Sequence, residues 1–324
     1  AASIAAAVMP GRRYNLMEFC GGHTHAISRY GLNDYLPDNV RMIHGPGCPV
    51  CVLPIGRVDM AIELALKHQV ILCTYGDTLR VPASDALSLS KAKARGADIR
   101  VVYSAADALQ LARDLPDRQV VFFAIGFETT TPPTALVIRD AAREGLTNFS
   151  VMCSHVMTPP AIRAILDGAE ENTAQIDGFV GPAHVSVVIG SDPYAKFARD
   201  YQKPVVIAGF EPLDVLQAIL MLVRQVNDGR AEVENEFSRA VTPSGNRHAQ
   251  ALMDEVFELR QSFEWRGLGR MAHSALQIRE KYRAFDAEQR LRLINPSGAR
   301  LLGLHPRDAE GRSAESLGLL DCLA

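Results

Sequence analysis

Several short stretches of the chain set thiols, imidazoles and carboxylates among glycine and proline. The first is Cys20-Gly-Gly-His23-Thr-His25, directly after an apolar run. Its two glycines let backbone approach a ligand closely, and the thiol and two imidazoles lie within one turn. The second is His44-Gly-Pro-Gly-Cys48-Pro-Val-Cys51-Val-Leu-Pro54. A Cys-x-x-Cys held between prolines is a stiff two-thiol clamp, and a helix N-terminus or a nearby cation can activate its thiolates. Together Cys20, Cys48, Cys51, His23 and His25 offer three sulfurs and two nitrogens. Three chemistries fit that set. Three cysteines and one histidine close a tetrahedral zinc site. Soft thiolates equally suit low-valent iron. Cys48 and Cys51 can also cycle as a reversible disulfide, as in thioredoxin-like motifs. The structural alternative is that Cys20 and Cys48 are small buried hydrophobes. Packing alone supplies no use for glycine and proline this dense beside them.

Two carboxylates follow strand-like runs in the same way. Gly126-Phe-Glu128-Thr-Thr-Thr-Pro-Pro reads as a strand end, an acid and a helix start. Gly209-Phe-Glu211-Pro repeats it. Each glutamate can favour a helix dipole, or move a proton or hold a hydrogen bond beside a thiol cluster. Gly181-Pro-Ala-His184-Val-Ser186 adds an imidazole, either a proton carrier or anion contact, or a histidine hydrogen-bonded in a loop. Arg57, Asp77 and Arg80 read as solvated charge in strand-end loops.

Positioning these residues requires a scaffold of strands and helices. Short apolar runs recur at 14–19, 40–43, 70–74, 100–103, 120–125, 149–153, 178–180 and 205–208, continuous and rich in Val, Ile and Phe, as buried parallel strands are. Amphipathic stretches at 58–67, 84–95, 105–113, 133–144, 160–167 and 213–226 alternate with them. The fold class is therefore α/β, with open parallel, Rossmann-like sheets. Ligands bind outside the carboxyl ends of such strands, where the unusual residues fall. A weak repeat relates Phe19-Cys20-Gly-Gly-His23 to Met152-Cys153-Ser-His155, and Gly45-Pro-Gly-Cys48 to Gly181-Pro-Ala-His184. It suggests two similar α/β domains, 12–118 and 119–230, followed by a smaller region, 231–324. In that region 233–241 and 249–259 read as helices, 263–269 as a glycine-interrupted loop and 296–324 as poorly periodic.

Composition narrows the function classes. The chain has 324 residues, 48% hydrophobic and 22% charged, with a net charge of −3. That is core-forming material, not disorder. No Lys/Arg run marks a nucleic-acid groove, and no apolar stretch reaches the ~18 residues of a membrane span. The opening octet is a poor signal peptide. Six cysteines in a chain of this size are too few for a disulfide scaffold, which favours chemistry in a reducing cytoplasm. There is no Gly-x-x-x-x-Gly-Lys-Ser/Thr phosphate loop and no Gly-x-Ser-x-Gly nucleophile elbow.

Cys-Gly-Gly-His-Thr-His (20–25), Gly-Pro-Gly-Cys-Pro-Val-Cys (45–51), Gly-Phe-Glu-Thr-Thr (126–130), Gly-Pro-Ala-His-Val-Ser (181–186), Gly-Phe-Glu-Pro (209–212) and Trp-Arg-Gly-Leu-Gly (265–269) occur in this order. In that set the chain resembles the HypD family of [NiFe]-hydrogenase maturation proteins, from about 14 to 288. The resemblance implies a cytoplasmic scaffold, more than a turnover enzyme. With the chaperone HypC it binds iron and assembles an Fe(CN)₂CO unit, for delivery to the hydrogenase large subunit. Cyanide would come from HypE, with HypF upstream. It implies iron at Cys20, possible help from His23, and a redox or iron-proximal role for Cys48 and Cys51. Glu128, His184 and Glu211 become further candidates. The other class is a thiol–disulfide oxidoreductase or a Cys/His zinc protein. The family also carries a [4Fe-4S] cluster on four cysteines of its third region. Here the stretch 289–324 offers only Cys322, too few thiolates for that cluster.

Overall fold

A computed structural model describes residues 1–168 and 175–289. The chain opens with α1 (Ala2–Ala7), β1 (Tyr14–Glu18), α2 (Gly21–Arg29), β2 (Val40–His44) and α3 (Ile55–Lys67). It continues with β3 (Ile71–Thr74), α4 (Leu89–Ala94), β4 (Ile99–Val101), α5 (Ala105–Asp114), β5 (Val120–Gly126), α6 (Thr131–Glu144) and β6 (Phe149–His155). Next come α7 (Thr158–Gly168), β7 (Gly178–Pro182), α8 (Ala183–Ile189), α9 (Asp192–Tyr201), β8 (Val205–Ala208), α10 (Pro212–Asn227) and β9 (Val233–Asn235). Last are α11 (Arg247–Val256), β10 (Phe257–Leu259), β11 (Ser262–Trp265), β12 (Gly269–Ala272) and β13 (Leu276–Ile278). No helix among the described residues is long and apolar enough to cross a membrane.

These elements form two compact units, each discontinuous in sequence. The first joins Ala1–Cys48 to Thr158–Gln250, and the second joins Pro49–Met157 to the segment from Ala251 on. The first unit is built on a parallel sheet in the order β2-β1-β7-β8-β9. Tyr14, Leu16, Val40, Met42, Val180, Val206 and Ala208 supply its core face. There they meet Ile4 of α1, Ala26 and Ile27 of α2, and Val215, Ile219, Leu222 and Val223 of α10. On α9, Phe197 packs edge-on to Phe179 of β7, with ring centroids 5.4 Å apart.

The second unit's sheet runs β4-β3-β5-β6, again all parallel. β5 and β6 are buried along their whole length, which is why they read as unbroken apolar runs. Leu72, Ile99, Val121, Phe123 and Met152 pack on Val58, Ile62, Ala65 and Leu89 of the helices. Helix starts follow local chemistry: Ser104 and Asp107 form a reciprocal capping box at α5, and proline occupies the first turn of α6 and α10.

The two α/β sheets agree with the expected fold class, but the chain is divided differently from 12–118, 119–230 and 231–324. β1 and β2 share a sheet with β7, β8 and β9, because a strand pairs where an edge is open rather than where its sequence neighbours lie. Three local readings also change. The stretch 233–241 contributes a strand, β9, pairing Val233 with Val205 at the sheet edge. The loop at 263–269 lies in a hairpin, β11–β12. There Phe263 and Trp265 face inward at 1% exposure while Glu264 faces out, a period-2 pattern. The Cys-Gly-Gly-His segment begins helix α2. The readings for 296–324 lie outside the described residues.

Candidate functional site

In the first unit β1 lies between β2 and β7. The chain winds outward from β1 to β2, and later from β7 to β8 and β9 on the other side. The strand order therefore reverses between β1 and β7, the place where open α/β sheets bind ligands. Four of the motifs emerge from the carboxyl ends of four adjacent strands: Cys20–His25 after β1, Gly45–Cys48 after β2, Gly181–Ser186 across the end of β7, and Gly209–Pro212 after β8.

Cys20 is the N-cap of α2, in extended conformation (φ −150°, ψ 130°). Its carbonyl accepts from the N–H groups of His23 (2.9 Å) and Thr24 (3.2 Å). Burial pushes the thiol pKa up, and the Glu18 charge adds to that. The backbone N–H groups of Gly22 and His23 at the helix start pull the pKa down. Gly47 lies directly on this residue: a Cβ there would stand 2.5 Å from the Cys20 nitrogen and 2.6 Å from its Cα. Only glycine allows that approach. The Gly21 N–H closes it by donating to the Gly47 carbonyl at 3.2 Å. Cys48 is thereby held one residue from the Cys20 backbone. Cys48 and Cys51 are both disulfide-bonded, whereas Cys20, Cys73 and Cys153 are free thiols.

Glu18, at the end of β1, is fully buried and was not among the sequence candidates. Its carboxylate accepts from the Cys20 N–H at 2.8 Å and from the Thr24 hydroxyl. It also accepts from His44 Nδ1 at 2.8 Å, where β2 ends. One carboxylate thus ties together β1, α2 and β2 at the thiol. An acid set inside the apolar run 14–19, one residue before Phe19, was the available signal.

His23 is also fully buried. Its Nε2 lies 3.0 Å from the Ala208 carbonyl and 3.1 Å from that of Gly209. Burial lowers its pKa, against the pull of those carbonyls and of Glu18. Phe210 lies between two imidazoles, 4.8 Å from His23 and 4.3 Å from His184 by ring centroids. His184 is exposed at the start of α8, and partial burial lowers its pKa. A Cβ on Gly22 would stand 2.6 Å from two Phe210 ring carbons, so the second glycine of the first motif makes room for the aromatic of the last. His25 is exposed on α2.

The two Gly-Phe-Glu sites differ. Glu211 is an exposed N-cap of α10, in a reciprocal capping box with Asp214. Its carboxylate has a helix-starting role. Glu128 belongs to the second unit, fully buried between β5 and α6.

The second unit also contains a buried charged cluster. Arg57 is 5% exposed rather than solvated. It donates to Glu288 Oε1 at 2.5 Å, to the Cys153 carbonyl at 2.6 Å and to Ser154 Oγ at 3.0 Å. Arg260 reaches the same Glu288 oxygen at 2.7 Å. The two guanidiniums hold the Glu288 carboxyl well below the usual carboxylate range against the opposing effect of its burial, while burial beside Glu288 pushes Asp286 up. Cys153 lies in this unit with its thiol pushed up by burial to about 11, so it is a packing group rather than a counterpart of Cys20. Asp77 and Arg80 are exposed, as expected.

Among the described residues no group of three or more His, Cys, Asp or Glu side chains is arranged to hold a metal ion. The stretch after 289, which bears Cys322, lies outside the described residues.

Residues 1–301 match the family model HypD, described as the hydrogenase formation hypA family. Hydrogenase maturation factor HypD of Cupriavidus necator is 69% identical over 296 residues, 90% of this chain and 78% of that protein. The protein of the same name from Azotobacter vinelandii is 68% identical over 300 residues, covering 92% and 79%. That of Escherichia coli is 48% identical over 281 residues, covering 87% and 74%.

Proposed function

The chain belongs to the HypD family of hydrogenase maturation factors, and on that premise we propose that it is an assembly scaffold for a metal cargo. With a HypC-type chaperone it holds iron while cyanide and CO are attached. The finished Fe(CN)₂CO unit then passes to the hydrogenase large subunit. A HypE-type protein donates the cyanide, with HypF upstream. The observation that carries the reading is the position of Cys20: a free thiol at the strand-order reversal, on a helix N-terminus, with the Cys48 loop seated on its backbone.

On binding Fe(II), the Cys20 thiol loses its proton as the iron–sulfur bond forms. The Gly22 and His23 N–H groups stabilise the resulting thiolate. CO and cyanide favour low-spin iron, which soft thiolate donors suit. As thiols, Cys48 and Cys51 would supply two electrons during cyanide attachment, releasing two protons as the bond between their sulfurs forms. The residue roles proposed are Cys20 as iron ligand, His23 as a second donor, Cys48 and Cys51 as the redox pair, and His184, stacked on Phe210, as a proton carrier. Glu128 and Glu211 remain candidates of lower rank. Three free thiols support a cytoplasmic setting, where disulfides that do occur are typically redox-active.

The test is infrared spectroscopy on the tagged chain co-expressed with its HypC-type and HypE-type partners. The purified complex is expected to show metal cyanide and CO stretches, and the Cys20→Ala complex to lack them. A Cys20→Ala complex that keeps both sets of bands overturns the reading. The disulfide state of Cys48 and Cys51 favours one second reading, a thiol–disulfide oxidoreductase. An iron-free chain that reduces or oxidises partner proteins through this pair would establish it. Stoichiometric zinc with a silent infrared spectrum would instead identify a zinc protein.

A further inference from the structure

Histidine in a metal-handling site has two different nitrogens, and which one is offered depends on what the other one does. For His23 the surroundings decide. Nε2 lies within hydrogen-bond distance of two backbone carbonyls, Ala208 at 3.0 Å and Gly209 at 3.1 Å. A carbonyl only accepts, so Nε2 carries the proton. In the neutral ring Nδ1 then bears the lone pair, and Nδ1 is buried with no hydrogen-bond partner. A dry acceptor inside a protein lowers stability unless something uses it.

The element that imposes this arrangement is the turn after β8. It supplies both carbonyls and then places Phe210 between His23 and His184. The ring lies where a Gly22 side chain would otherwise be. So one turn holds the His23 proton on the far nitrogen and closes the ring's face.

We propose that the Ala208-Gly209-Phe210 turn is the positioning element of the cargo site, locking His23 as its Nε2–H tautomer so that Nδ1 is the nitrogen offered to the metal that Cys20 binds. This gives the Gly-Phe-Glu-Pro motif a role that its glutamate, occupied in capping α10, does not supply. The proposal rests on the scaffold reading for the metal, and on the hydrogen-bond geometry alone for the tautomer.

The experiment uses the full chain labelled with ¹⁵N-histidine. Two-bond proton–nitrogen correlation spectra identify each ring's tautomer, before and after adding Zn(II) as a diamagnetic probe. Co(II) absorption reports thiolate ligation in the wild type and in Cys20→Ala. His23 is expected as the Nε2–H tautomer in the metal-free chain. Zn(II) is expected to move its Nδ1 resonance while Nε2 keeps its proton. Phe210→Ala is expected to mix the tautomers and to weaken Zn(II) binding by about 10–100-fold, as loss of outer-sphere support does. Phe210→Leu, which keeps apolar bulk over the ring, is expected to restore most of both.

An Nδ1–H tautomer in the metal-free wild type overturns the proposal. So does a Phe210→Ala chain that stays folded with unchanged tautomer and unchanged affinity. Thiolate ligation that depends on Cys20 while His23 stays silent also overturns it, and leaves the scaffold reading intact. An Nε2–H tautomer with no thiolate ligation by any metal sinks the ligand role together with the scaffold reading.

Discussion

Gly47→Ala is a sharp test of how the thiol loops are held. The added Cβ would meet the Cys20 nitrogen at 2.5 Å, the Cys20 Cα at 2.6 Å and the Phe19 carbonyl carbon at 2.8 Å. All three are backbone atoms, so no rotamer change relieves the contact. Ordinary carbon–carbon contacts begin near 3.5 Å, so the loop must lift by about 1 Å. Such a lift breaks the Gly21 N–H to Gly47 carbonyl bond, already 3.2 Å long. Overpacking costs about 1–3 kcal/mol and the lost hydrogen bond about 1 kcal/mol. The expected destabilisation is therefore about 2–4 kcal/mol. Gly56→Ala is the matched control. Gly56 lies in α3 with nothing within 4 Å of an added Cβ, and its replacement is expected to be neutral or to stabilise by up to about 1 kcal/mol. Urea unfolding followed by circular dichroism reads both. Infrared spectra of the co-expressed complexes then show whether the Gly47→Ala chain retains cargo. A Gly47→Ala chain with the wild-type unfolding midpoint would refute the close-approach argument.

Two further outcomes are expected. Burial holds the His155 pKa down to about 4, from an ordinary 6.5, while its Nε2 faces Thr134 Oγ1 at 2.9 Å. Between those pH values the unfolded chain binds the proton that the folded chain refuses, so stability rises with pH across the window. The contribution, about 3 kcal/mol, is complete above pH 6.5 and lost as pH falls through 4; urea midpoints measured across that range should slope for wild type and flatten for His155→Gln. Glu18→Ala strips an acceptor from the Cys20 N–H, the Thr24 hydroxyl and His44 Nδ1 at once. A loss of about 2–4 kcal/mol is expected, with Glu18→Gln in between because it keeps one acceptor oxygen; a thermal melt unchanged by Glu18→Ala would show that the carboxylate organises nothing.

Much of the scaffold was legible because buried parallel strands are written as contiguous apolar runs. β5 and β8 match their runs to within a residue, and α5 and α10 match their amphipathic stretches nearly as closely. What failed was non-local. β1 pairs with β7 across about 160 residues, and no local pattern announces such a partner. The repeat was misleading for the same reason. Cys20 caps a helix in one unit, while Cys153 is locked in the middle of a fully buried strand in the other, so their likeness is that of any two strand ends. Gly21–Arg29 fell in none of the amphipathic stretches read from the sequence, yet α2 begins there and the Phe210 ring occupies the space beside Gly22. Glu18 went unnoticed inside an apolar run, although a carboxylate at that position had to be satisfied by neighbours.

The chemistry gathers in the first unit because of how its sheet is wound. A reversal of strand order leaves the ends of β1 and β7 uncovered by a crossover connection, and the motifs of the first unit lie at the carboxyl ends of those two strands and of their neighbours β2 and β8. Their residue types follow from mutual contact. Gly47 exists for Cys20, Gly22 for Phe210, and the Gly209 carbonyl for His23. Glu18 joins Cys20, Thr24 and His44 in one hydrogen-bonded set. These motifs are thus one packed object rather than separate sites. A change in any of them should be felt at the thiol, with Gly47 and Glu18 acting through the Cys20 backbone and Phe210 through the His23 ring.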